Sequence, residues 1–211
     1  MKTDYTLYAI TDSSYTRLPL SEQAEAAISG GATVIQLREK NISEEDYIQK
    51  AKEVLSVTKK YGVPLIINDN VNVAYLSGAD GVHLGQTDGD PKAARRILGK
   101  NAIIGVTAKS VLQAKAAEAA GADYLGSGAM FVSPTKPNAK ALSMSELREI
   151  CSSVSIPVCA IGGINADNVT ALRGSGIMGI AVVSAIFGSE TAEGIAAAAR
   201  YLRAAAGDII K

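Results

Sequence analysis

The chain has 211 residues, with 21 Lys and Arg balanced by 21 Asp and Glu, 47% hydrophobic residues, 20 Gly, 2 Cys and no Trp. Zero net charge argues against a nucleic-acid binder, which carries a basic excess, and no run nears the roughly 20 apolar residues that span a bilayer. That size and apolar content suit one domain, residues 1–211, with a substantial core.

The chain opens MKTDYTLYAITD, with an acid ahead of the apolar run, unlike a secretory leader. TLYAIT is the first of eight short apolar runs, followed by ATVIQL, PLIIN, DGVHL, AIIGV, ADYLGSG, PVCAIG and MGIAVV. An amphipathic helix is expected after each, beginning near Leu20, Ser43, Asn70, Asp90, Ser110, Ser143, Asn165 and Thr191. Ser43 precedes Glu44, Glu45 and Asp46, which suit the positive end of the helix dipole. Asp90 stands before Pro91, a first-turn proline, and Asn165 with Asp167 is read as another helix start. The runs are continuously apolar, as parallel strands covered on both faces should be.

Eight such strands and helices can close into a single-domain α/β barrel, the (βα)8 or TIM barrel, which removes both sheet edges. SGGATVIQLRE, SGADGVHLGQ, AGADYLGSG and SGIMGIAVVS repeat a glycine helix stop and a strand at every second unit. The glycines are expected to end each helix in a left-handed turn. An open doubly wound sheet gives no reason for that two-unit period. Cys151 and Cys159 suit a reduced cytoplasmic protein better than a disulfide scaffold.

In such a barrel, function lies at the carboxyl ends of the strands. Gln36, Arg38 and Lys40 are two apart and share one strand face, with Ile35, Leu37 and Glu39 on the other. Two cations and an amide directed inward suit a bound anion such as a pyrophosphate. A salt-bridge network with carboxylates of neighbouring strands is the alternative. Asn68 and Asp69 end the third strand and Asp88 follows the fourth, so two carboxylates would share a rim with the two cations. Magnesium, held by one or two carboxylates plus phosphate oxygens, fits that set; otherwise Asp69 is a helix cap and Asp88 a turn residue.

GSGAMFVSPTKPNAKAL, after the sixth strand, is long for a connection and carries Ser133, Thr135 and Lys136. It reads as a functional lid or as a surface excursion. Gly162-Gly163 and Val183-Ser184 follow the seventh and eighth strands, where barrels often bind phosphate through backbone N–H groups. The single histidine, His83, is expected inside the barrel in a supporting hydrogen bond, and no G-x-S-x-G nucleophile elbow is present.

The ordered set of Gln36-Leu37-Arg38-Glu39-Lys40, Asn68-Asp69, HLGQ with Asp88, Phe131-x-Ser133-x-Thr135-Lys136, AIGGI and VVSAI resembles thiamin-phosphate synthases over the whole chain. The resemblance implies a magnesium-dependent (βα)8 barrel that joins hydroxymethylpyrimidine pyrophosphate to a thiazole phosphate and releases pyrophosphate. It implies that Gln36, Leu37, Arg38, Glu39, Lys40, Asn68, Thr107 and Lys136 hold the pyrimidine pyrophosphate, with Arg38, Lys40 and Lys136 catalytic. Asp69 and Asp88 correspond to metal ligands, and Ser133, Pro134, Thr135, Gly163, Val183 and Ser184 to the thiazole phosphate site. The partners implied are small molecules, with no nucleic acid and no membrane; a homo-oligomer is compatible.

Ser133 stands where relatives carry threonine, Thr107 where they carry serine, and Lys109 where many carry histidine. Thiazole tautomerases share this barrel and use a histidine in that vicinity. Here that histidine is absent and the pyrophosphate set is complete, which favours a synthase over a tautomerase, another barrel isomerase or a non-catalytic binding barrel.

Overall fold

The computed structural model describes residues 3–15, 17–131 and 141–210. Among these, eight parallel strands close a barrel in chain order: β1 (Leu7–Ile10), β2 (Val34–Leu37), β3 (Leu65–Asn68), β4 (Gly81–Leu84), β5 (Ile103–Thr107), β6 (Tyr124–Gly128), β7 (Val158–Ile161) and β8 (Gly179–Val182). Closure is made where β1 pairs with β8, Tyr8 opposite Ala181. The open-sheet alternative is thereby excluded.

The helices are α1 (Leu20–Ser29), α2 (Glu44–Tyr61), α3 (Val71–Ser77), α4 (Pro91–Leu98), α5 (Val111–Ala119), α6 (Met144–Ser153), α7 (Ser184–Phe187) and α8 (Ala192–Ile209). Side-chain caps start most of them: Ser43 accepts from the Asp46 N–H, Asn70 from Val73, Asp90 from Lys92, Ser110 from Gln113, Ser143 from Glu146 and Thr191 from Gly194. Each satisfies one of the N–H groups a helix start leaves unpaired.

Two expectations need correction. Asn165 opens no α-helix; its segment holds only a 3₁₀ turn, Val169–Leu172. Asn165 Oδ1 accepts from the Asp167 N–H, while Asn168 bonds both the Asn165 N–H and the Gly163 carbonyl. These local bonds compete with the helical ladder. The glycine echo also departs in its first unit: Gly30 is right-handed, and Gly31 carries the positive φ. A Cβ on Gly30 would lie 2.4 Å from the Ala196 carbonyl oxygen, so close packing of α1 on α8 requires glycine there.

Strand alternation sorts the core into two layers. Leu7, Ile35, Leu37, Leu65, Ile67 and Leu125 face outward into the large cluster shared with the helices. Tyr5, Tyr8, Ile10, Val34, Ile66, Tyr124, Cys159 and Ala181 form a smaller cluster inside the barrel. Each fully buried Leu or Ile stabilises by roughly 1.5–3 kcal/mol, so the populous outer layer carries most of the stability. Cys151 and Cys159 are both free.

The inner layer is shaped around one ring. A Cβ on Gly105 would lie 2.1 Å from the Tyr124 side chain, so β5 must be bare where β6 sends its tyrosine across the barrel. Gly105→Ala should therefore destabilise by about 1–3 kcal/mol through overpacking, read as a lower urea midpoint at unchanged m-value.

Candidate active site

The end of β2 distributes its residues as strand alternation demands. Ile35 and Leu37 enter the helix-facing core, while Gln36 turns inward and donates from Nε2 to Tyr8 Oη at 2.8 Å. Beyond the strand, Arg38 Nη1 donates to Asp12 Oδ2 at 2.7 Å, and Lys40 Nζ to Asp69 Oδ2 at 2.6 Å. The neighbouring-strand carboxylates weighed as an alternative to an anion site are thus the partners of both cations here. The pairing does not exhaust them, because a guanidinium has five N–H donors and an ammonium three.

Glu39 points the other way. Its side chain is only 1% exposed and accepts from Lys50 Nζ of α2 at 2.5 Å. Glu39 and Leu37 can meet a ligand at the mouth only through their backbone. The Tyr47 hydroxyl, also on α2, lies 2.8 Å from the Leu37 carbonyl oxygen and 3.3 Å from that of Asn68, tying the ends of β2 and β3 together.

Asp69 follows β3 with φ +65°, a left-handed conformation that costs a non-glycine residue roughly 1–2 kcal/mol. Asn70, not Asp69, caps α3. Asp88 does close a turn, accepting from the Gly85 N–H at 2.8 Å, and it also lies within hydrogen-bonding reach of Asp69. Burial, then the adjacent Asp69 carboxylate, pushes the Asp88 carboxyl above its ordinary range. Burial acts upward on Asp69 as well, but Lys40, Asp88 and the Asn68 amide hold it below the ordinary range.

Two carboxylates in contact form a hard-oxygen pair whose mutual repulsion a divalent cation would relieve. Among the described residues no group of three or more His, Cys, Asp and Glu could hold a metal. The Asp69 and Asp88 pair has the chemistry to suit a cation that takes one or two carboxylates and completes its shell with ligand oxygens and water.

Across the barrel stand the turns that follow β7 and β8. Gly162 and Gly163 follow β7 with φ +99° and +65°, and Val183 leads into α7 at Ser184. Ser133, Pro134, Thr135 and Lys136 lie outside the described residues. Thr107 ends β5, between the charged rim and those turns.

Below the mouth, His83 lies inside the barrel and bonds Tyr124 and Thr107, as its sequence position suggested. Tyr8, Tyr124 and Asp12 escaped sequence reasoning. The tyrosines sit in runs that read as apolar; the one available signal is the bare Gly105 in the neighbouring run, which leaves room for the Tyr124 ring.

A family model described as thiamine monophosphate synthase matches residues 7–186. This chain belongs to the thiamine monophosphate synthase family. It is 52% identical over 186 residues to the thiamine-phosphate synthase of Ruminiclostridium cellulolyticum, covering 88% of this chain and 89% of that protein. Identity to the Clostridium novyi thiamine-phosphate synthase is 46% over 196 residues, 92% of this chain and 96% of that one. A solved thiamine phosphate pyrophosphorylase from Pyrococcus furiosus superimposes with a TM-score of 0.89 at 37% identity, covering 100% of this chain and 99% of that one. The thiamine monophosphate synthase fold thus extends through the described residues.

The Glu39–Lys50 pair yields a stability prediction. Lys50→Met should cost about 2 kcal/mol, less than the roughly 3–5 kcal/mol for a fully buried pair because the Lys50 side chain is 35% exposed. Adding Glu39→Met should recover most of that loss in the same denaturant titration.

Proposed function

We propose that the mouth of this barrel joins hydroxymethylpyrimidine pyrophosphate to thiazole phosphate, giving thiamin phosphate and pyrophosphate. The observation that supports this most is the contact series Lys40–Asp69–Asp88 on one rim, with Arg38 beside it: cations for a diphosphate and a carboxylate pair for its counter-ion.

Arg38 and Lys40, with Lys136, stabilise the charge that develops on the leaving diphosphate as its C–O bond breaks. Gln36, Asn68 and Thr107 orient the pyrimidine, and Leu37 and Glu39 contribute backbone. Asp69 and Asp88 would hold Mg2+, which neutralises diphosphate charge when bound. Gly163, Val183 and Ser184 hold the thiazole phosphate from the opposite rim, so that its ring nitrogen meets the pyrimidine carbon, and the resemblance adds Ser133, Pro134 and Thr135 as ligands of that phosphate. Bond breaking first gives a cation that the nitrogen lone pair captures, so positioning and leaving-group stabilisation do the work and no strong base is needed.

A tautomerase or isomerase would need an acid–base group aimed at its substrate. Both His83 ring nitrogens are instead engaged, by Tyr124 and Thr107. Among the described residues no helix is long and apolar enough to cross a membrane, and the small-molecule chemistry suits the cytoplasm.

Incubated with both substrates and Mg2+, the protein should release pyrophosphate in step with thiamin phosphate, and excess chelator should stop both; turnover indifferent to chelation would overturn the reading. Asp69→Ala and Asp88→Ala should each lower kcat/KM by about a hundredfold or more with the circular dichroism spectrum unchanged. The Mg2+ requirement should also depend on pH. Because the Asp88 carboxyl is held above the ordinary range, protons compete for it where a free aspartate is already ionised. The Mg2+ concentration for half-maximal rate should therefore climb on acidification before an ordinary carboxylate would begin to titrate.

A further inference from the structure

His83 is the only histidine in the chain, and the chemistry proposed above gives its ring no proton to move. Its surroundings form a continuous hydrogen-bonded chain across the barrel floor. Gln36 Nε2 donates to Tyr8 Oη at 2.8 Å, and Tyr8 Oη lies 2.7 Å from Tyr124 Oη. Tyr124 Oη is 2.9 Å from His83 Nδ1, and His83 Nε2 is 2.9 Å from Thr107 Oγ1. Five strands contribute one side chain each: β2, β1, β6, β4 and β5.

The direction of the bonds follows from burial together with the Gln36 amide donating to Tyr8. Tyr8 and Tyr124 are each 1% exposed, and burial pushes both phenols far above their ordinary range, so each enters the chain carrying its proton. A buried hydroxyl proton without an acceptor is costly. Tyr8, already accepting from Gln36, gives its proton to Tyr124, its other hydrogen-bond neighbour among the described residues. Tyr124 then gives its own to His83 Nδ1. The reverse direction would strand the Tyr8 proton, and a doubly protonated imidazole would strand that of Tyr124.

We infer that this chain holds His83 as the neutral Nε2–H tautomer and makes it a positioning residue that turns the Thr107 hydroxyl proton toward the ligand. With Nε2–H filling one lone pair of the Thr107 oxygen, the hydroxyl proton cannot point at His83 and is left for a ligand acceptor, an unprotonated ring nitrogen of the pyrimidine. That last step rests on the function proposed above; the tautomer does not.

With a single histidine, selective 15N-histidine labelling reads the ring directly in the ligand-free protein. Nε2 should show the shift of a protonated nitrogen and Nδ1 that of a bare one; the opposite tautomer or a doubly protonated ring would overturn the inference. In steady-state assays, Tyr124→Phe and Thr107→Val should each raise KM for the pyrimidine pyrophosphate roughly three- to tenfold, leave KM for thiazole phosphate unchanged and change kcat less. Thr107→Ser should remain near wild type. The double variant should be no worse than the poorer single one, because both remove the same contact; additive losses would overturn the coupling. Should Tyr124→Phe fold poorly, His83→Gln, whose amide nitrogen can still donate to Thr107, should hold KM within about threefold while His83→Leu raises it. Equal KM values in that pair would overturn the positioning role. A wild-type protein that shows Nε2–H but forms no thiamin phosphate would remove the proposed function and leave the tautomer supported.

Discussion

Closure of eight parallel strands imposes one demand on every other feature. Alternate side chains must fill a narrow interior that no water can reach, and all eight carboxyl ends must open on the same face. This chain meets the demand with Tyr124, whose ring crosses the interior over a bare Gly105 and touches the rings of Tyr5, Tyr8 and His83. A ring that large brings a hydroxyl into the core, and the hydroxyl needs partners. Tyr8 and His83 supply them, and through them Gln36 and Thr107 are held at the base of the mouth. Interior packing and the hydrogen-bonded floor of the mouth are therefore one arrangement.

Above that floor, charge is balanced in pairs. Arg38 rests on Asp12 and Lys40 on Asp69, leaving Asp88 against Asp69 as the unfavourable contact. A diphosphate arriving with a divalent cation would exchange these partners: oxygens of the ligand for Lys40, the cation for the two carboxylates. The pairings of Arg38 with Asp12 and of Lys40 with Asp69 leave neither cation as an isolated charge. Asp69 also sits in a left-handed backbone conformation, the kind of local strain that concentrates at functional sites.

The segment that carries the cations is anchored from behind. Glu39 is drawn into the α2 side by Lys50, and the Tyr47 hydroxyl joins the ends of β2 and β3. With Glu39 held toward α2, its neighbours Arg38 and Lys40 reach Asp12 and Asp69.

Local chemistry in the sequence determined a good part of this. Apolar runs long enough for one barrel strand, Ser, Asn, Asp and Thr at helix starts, and the two-residue spacing of Gln36, Arg38 and Lys40 all act over a few residues. The barrel, and the side chains that its strand ends bring to one face, were legible for that reason. Asn165 misled because its side chain bonds to nearby backbone in a turn as readily as in a cap, and only the surrounding contacts choose. The partners of the cations, the contact between Asp69 and Asp88, and the hydrogen-bonded floor were decided by tertiary structure alone. Tyr8 and Tyr124 are 116 residues apart, and no local pattern distinguishes a strand tyrosine that packs as a hydrophobe from one whose hydroxyl must find a proton acceptor across a closed barrel.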